Sequence, residues 1–172
     1  MRSPGGLLLL SCVLFAGCAV AAPYQIDAAA PRTLTLSRST ASGGSTEYYA
    51  DGQAVVREEY GKPASDGSFP LRKRKQARLT AAQWTRFWQS VDRFAIERWR
   101  TSYSADGMGV AANNDGEAWR VEMHKDGHVF RCEGANVYPD LKHPGQRASD
   151  RAALTQLIEV FEQGISAAGT GR

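Results

Sequence analysis

The run WRVEMHKDGHVFRCE, from Trp119 to Glu133, leaves the chain little conformational choice. Asp-Gly suits the two positive φ angles of a type I′ hairpin turn, so Asp126 and Gly127 form the tip and Lys125 faces His128. Counting outward, His124 faces Val129, Met123 faces Phe130, Glu122 faces Arg131, Val121 faces Cys132 and Arg120 faces Glu133. One side collects Trp119, Val121, Met123, Phe130 and Cys132. The other collects Arg120, Glu122, Arg131 and Glu133, in two opposite-charge pairs directly across the strands. A slip of one residue scrambles both faces, so the register is fixed. Such a hairpin is not stable alone and requires more strands, or helices, over its apolar side.

The same run holds His124, His128 and Cys132, residue types that bind zinc. Zinc needs ligands converging to about 2.0–2.3 Å from one point. On the hairpin His124 points with the charged face, while His128 shares the parity of Cys132, which behaves as a small hydrophobe. His-x3-His converges on a helix, and Asp-Gly in its middle argues against one. The expectation is a structural hairpin with no metal and no cofactor.

The rest of the chain supplies the covering layer. TLTLSRS alternates, with Leu34 and Leu36 on one face, and predicts a first strand that ASGGS ends. STEYYADGQAVVREEY predicts a hairpin around Asp51-Gly52 with the same type of turn. GKPASDGSFP is a loop, and LRKRKQARL is charged enough for an exposed edge strand. Thr80 and Gln83 make a capping box, and Leu79 with Trp84 a hydrophobic staple, for a helix. Its stripe is Trp84, Phe87, Trp88 and Val91, continued by Phe94 and Ala95. The segment from Ile96 to Gly116 reads as turns without periodicity. A second helix, capped at Ser149 and ending near Ala167, carries Leu154, Leu157, Ile158, Phe161 and Ile165 on one face. Strands, helix, hairpin, helix in that order predict an α+β fold: an antiparallel sheet, made of a strand plus two hairpins, with two amphipathic helices on one face.

The N-terminus has a different character. Arg2 precedes an apolar run from Gly5 to Gly17, of signal-peptide length and short of the ~20 residues a membrane-crossing helix needs. It ends in LFAGC, and Ala16-Gly17 before Cys18 resembles the bacterial lipobox, with Phe15 where that motif usually has Leu. The resemblance implies acylation of Cys18, cleavage before it, and a palmitate-bearing N-terminus. Ala19 after the cysteine implies sorting to the outer membrane, facing the periplasm. The alternative is an ordinary leader cut after Ala21, giving a secreted or periplasmic soluble protein. The organisation expected is a signal peptide at 1–17, a tether at 18–32, one domain at 33–167 and a tail at 168–172. Losing Arg2 with the leader takes the formal charge from +3 to about +2, a weak bias. Cys132 is then the one cysteine of the domain, so no disulfide forms within it and the core must hold the fold.

Motifs with known chemistry do not emerge. The sequence has no G-x-S-x-G elbow, P-loop, dinucleotide fingerprint or H-E-x-x-H, so the expectation is a non-enzyme. Asp115 and Glu117 flank Gly116 and read as a turn leading into Trp119. The basic run gives Arg72, Lys73, Arg74 and Lys75 as a candidate contact for anionic lipid, beside the plainer reading of a solvated edge. Nucleic acid is not an expected partner.

One pattern does resemble a family. Trp99 near the end of an aromatic helix, Asp115-Gly116 with Trp119, then Gly134-Ala135-Asn136, Tyr138 and Pro139 is similar to a D-G-x-x-W … G-[SA]-N-x-Y-P pattern of bacterial envelope proteins. That likeness covers about residues 79 to 165 and implies a fold without assigning an activity. Trp99, Trp119, Asn136 and Tyr138 form either a corner joining sheet to helix or a shallow groove for an envelope peptide, protein segment or glycan. A separate, fainter likeness links the Ser42-Gly43-Gly44 turn to emfourin-type inhibitors of thermolysin-like proteases. The leading expectation is a lipid-anchored binding module, with protease inhibition as the alternative.

Overall fold

Alternate residues of a strand point to opposite faces, and TLTLSRST uses this to bury Leu34 and Leu36 completely in β1 (Thr33–Thr40). The computed structural model describes residues 32–104 and 116–167. A turn at 41–44 returns the chain into β2 (Ser45–Ala50), which pairs with β3 (Val55–Tyr60). After a loop comes β4 (Leu71–Ala77), then α1 (Ala81–Asp92), a short 3-10 turn at Ile96–Arg98 and β5 (Ser102–Tyr103). The hairpin is β6 (Glu117–Lys125) and β7 (His128–Ala135), followed by β8 (Tyr138–Pro139), β9 (Arg147–Ala148) and α2 (Ala152–Ala167). The sheet runs β4-β3-β2-β1-β6-β7-β5, with β8 and β9 as a separate ribbon. This is an α+β fold.

The hairpin keeps every expected pair, from Lys125 opposite His128 to Arg120 opposite Glu133. Both tip residues take positive φ, 52° at Asp126 and 76° at Gly127, as a type I′ turn demands. The capping box of α1 also forms. Thr80 Oγ1 accepts the Gln83 N–H at 3.3 Å, and Gln83 Oε1 accepts the Thr80 N–H at 2.8 Å.

Four local readings give way to tertiary context. Around Asp51-Gly52 only the glycine has positive φ, 84°, and Ala50 pairs with Val55 across a four-residue connection. The Asp51 carboxylate fixes it by accepting the Gln53 and Ala54 N–H groups at 2.8 and 2.9 Å. Helix α1 stops at Asp92, short of Phe94 and Ala95. Its last turn tightens through bonds from Phe94 N–H to Val91 and from Ala95 N–H to Asp92, and Ala95 turns left-handed at φ 46°. Helix α2 starts at Ala152, past the expected Ser149 cap, with the Asp150 carboxylate on the Ala152 N–H at 3.1 Å. Finally, β5 lies parallel to β7 in an otherwise antiparallel sheet. Two residues are too few to show periodicity; the free edge of β7 places them.

Both helices cover one side of the sheet. Phe87 and Val91 of α1 and Leu154, Leu157 and Phe161 of α2 share a core with Leu34, Leu36, Tyr48, Val55, Trp119, Val121, Met123 and Cys132. Phe161 joins the layers, with ring centroids 5.4 Å from Tyr48 and 5.5 Å from Phe87. Phe161→Ala should cost about 3–5 kcal/mol of a domain's total of about 5–15. Urea unfolding followed by tryptophan fluorescence measures it, and a loss under ~1 kcal/mol would show that this contact does not hold the layers together.

Candidate functional site

With both helices on one face, no described helix covers the other face of the sheet, and its side chains shape it. One row across the strands reads Tyr60, Ser45, Ser39, Ala118 and Ala135 in register. Four of the five are small, so the floor dips. The next row reads Glu47, Ser37, Arg120 and Glu133. Here Arg120 binds Glu133 through Nε and Nη2, at 3.0 and 2.8 Å, and forms a raised polar wall. Between them lies a groove of about 1090 Å³, bordered by Tyr60 and the exposed Phe69 on one flank and by Ser102 to Ser104 on the other. Farther along this face Glu122 accepts Arg131 Nε at 2.7 Å and meets His124 Nε2 at 2.8 Å. Those contacts, Arg131 foremost, hold its carboxyl down at about 2, so it remains ionised until strongly acid pH.

The aromatic residues expected at a groove separate into two roles. Trp99 and Tyr138 are buried and do not border it. Trp119 is buried too, though it and Asn136 contribute to the groove's edge. The three rings pack together, Trp119 stacked on Tyr138 at 6.2 Å and edge-on to Trp99 at 6.1 Å. Each indole N–H is satisfied inside the fold: Trp119 donates to the Val137 carbonyl and Trp99 to that of Phe94, both at 2.9 Å. The cluster is a corner between sheet and helix, and only its Trp119–Asn136 side approaches the open face. The groove floor itself carried no motif; its signal is small residues at matching positions of strands far apart in sequence.

Glu117 differs most from its reading as a turn residue. It opens β6 with its carboxylate on the helix-covered side, 7% exposed, the one charged side chain buried to that degree among the described residues. Oε2 accepts the Tyr138 hydroxyl at 3.1 Å and lies 3.4 Å from Arg151 Nη1. Arg38 Nε stands 2.7 Å from Oε1, a close ion pair whose angle is too poor for a hydrogen bond. Burial, with Glu117 beside it, pushes the Tyr138 hydroxyl up to about 12. The sequence held a signal: Glu117 has the parity of Trp119, Val121 and Met123, an acid on the apolar side.

Asn136 locks the same corner. It takes φ 57°, its Oδ1 accepts the Glu117 N–H at 2.9 Å, and its own N–H reaches the Glu117 carbonyl at 3.0 Å. The flanking glycines leave room for this. A Cβ on Gly116 would collide with the Asn136 carboxamide, and one on Gly134 would lie 2.6 Å from the Val137 carbonyl oxygen.

The remaining sequence candidates disperse. Cys18, the tether up to residue 31 and the tail lie outside the described residues, while Arg32, the tether's last residue, pairs with Asp92 and lies 4.5 Å over the Trp88 ring. Arg72, Lys73, Arg74 and Lys75 are exposed on β4, far along the sheet from the aromatic corner. Ser42, Gly43 and Gly44 form the turn between β1 and β2, at the end of the groove that Ser39 and Ser45 line. His124 bonds Glu122 on the open face, whereas Cys132 is buried on the other, and burial pushes its thiol up to about 12. No group of three His, Cys, Asp or Glu among the described residues could hold a metal ion. No described helix is long and apolar enough to cross a membrane. No family model, curated protein or solved structure matches the chain.

Two measurements check this geometry. Glu117→Ala leaves the buried Tyr138 hydroxyl without its acceptor and should cost about 1–3 kcal/mol, while Asn136→Ala loses the part-buried bond to the Glu117 N–H and about 1 kcal/mol. Denaturant midpoints decide, and equal, negligible losses would remove the corner from the account. A neutral buried thiol should resist maleimide in the native protein and react only on unfolding. Fast native labelling of Cys132 would contradict its placement.

Proposed function

We propose that this chain is a lipid-anchored, non-enzymatic binding module of the bacterial envelope, acylated at Cys18, held at the outer membrane and facing the periplasm. Its docking surface is the groove on the helix-free face, and its ligand is an extended segment of an envelope protein or peptide. The groove's floor carries the reading. From Tyr60 to Ala135 it crosses five strands, about 19 Å at the usual strand spacing, the length of about six extended residues. Small floor residues let a backbone approach closely. Serine hydroxyls, Glu47 and the Arg120–Glu133 pair offer donors and acceptors, and Phe69 gives an apolar contact. A few polar groups beside apolar surface is the usual composition of a recognition site.

Ser39→Tyr fills the floor from an exposed position and leaves the core alone. Capture from envelope extracts should yield a peptide or protein segment that the variant binds at least about tenfold more weakly. Equal capture by both proteins would sink the groove, and retention of glycan alone would change the ligand class. Stoichiometric inhibition of a thermolysin-like protease would move the function to the Ser42–Gly44 turn. For the anchor, Cys18→Ala should shift the protein from the membrane to the soluble fraction and abolish palmitate labelling. An unchanged membrane fraction would speak against acylation.

A further inference from the structure

β4 is an outer strand of the sheet, so its outer backbone groups meet no other described strand. Along it run Arg72, Lys73, Arg74 and Lys75, all exposed. At its head stand Phe69 and Leu71, 53% and 51% exposed, the two most exposed large apolar side chains among the described residues. Lysines on an edge strand have a plain purpose, deterring another sheet from pairing there. That purpose does not require a phenylalanine and a leucine in water beside them.

Only part of the charge along this edge is compensated: Arg74 pairs with Glu58. Glu59 is committed to Arg57 at 2.7 Å. Glu58 accepts the Tyr60 hydroxyl at 2.5 Å and lies 3.4 Å from Arg74. Asp66, in the preceding loop, accepts from Ser68. Among the described residues Arg72, Lys73 and Lys75 form no ion pair, although Lys73 stands opposite Glu59 in register, and Arg72 folds its guanidinium over Gly61.

We propose that this edge, headed by Phe69 and Leu71, docks on an anionic lipid surface. The two apolar side chains seat at the level of the headgroups, and the cations behind them meet lipid phosphates, whose negative surface potential attracts basic clusters. An acidic peptide added as an eighth strand is the competing occupant. It would satisfy the cations but leave Phe69 uncovered, because that residue precedes the strand. A lipid surface accounts for both features. The edge shares Phe69 with the groove's flank, while Leu71 and the four cations lie outside the groove.

Hydrogen–deuterium exchange tests it on the full chain, with vesicles of phosphatidylcholine and vesicles about one-third phosphatidylglycerol. Docking slows exchange of the amides of residues 71–76 several-fold on the anionic vesicles only. Added salt removes the slowing, and so does the double substitution Lys73→Ser and Lys75→Ser. Leu71→Ser weakens it at unchanged charge. Equal exchange on the two surfaces overturns the proposal. Slowing by an acidic peptide in solution, with none on anionic vesicles, overturns it as well and assigns the edge to a strand-forming partner.

Discussion

A carboxylate inside the core organises this fold. Glu117 begins β6 at the point where strand, loop and helix meet, and its buried oxygens are approached by Arg38 from β1, Tyr138 from β8 and Arg151 just before α2. A buried charge is costly unless paired, so these elements must converge for the corner to form. Asn136 adds the backbone lock, tying the end of the hairpin to its beginning through two hydrogen bonds. Trp119 follows two residues on and stacks against the tyrosine that Glu117 holds. Register, corner and helix placement thus share one cluster.

That corner lies on the same side of the sheet as both helices. β8 lies there too, and no described helix lies on the opposite face. Its polar residues pair among themselves, as Arg120 with Glu133 and Arg131 with Glu122 do. Where small residues align across strands the face sinks into a groove. Core and groove thereby lie on opposite sides of one sheet, and open-side residues such as Ser39 take no part in the core.

Much of the architecture was legible because it is written in short-range chemistry. The hairpin register follows from Asp126-Gly127 and two alternating faces, the start of α1 from Thr80 and Gln83, and the edge character of β4 from its lysines. The misreadings have a common cause, since each concerns a boundary or a contact made at long range. Helix α1 ends early because Phe94 is drawn into the core from a tight final turn. β5 exists because β7 offers an edge. The aromatic residues near Asn136 were recognised as a unit, yet whether their rings face water or one another depends on what packs over them. Trp99 and Tyr138 turned inward, and Asn136 stayed at the margin of the groove.

The sequence by itself determined the alternation that makes the strands, the caps and turns that bound most elements, and the charge and exposure of the basic edge. Local rules suffice for these because each rests on residues within a few positions of one another. Tertiary structure alone decided that Glu117 is buried, that the aromatic cluster is a corner and that the groove exists. The groove's floor comes from strands that are neighbours in the sheet but distant in the chain, as Ser39 of β1 lies beside Ala118 of β6, 79 residues on. Only the sheet order brings them side by side.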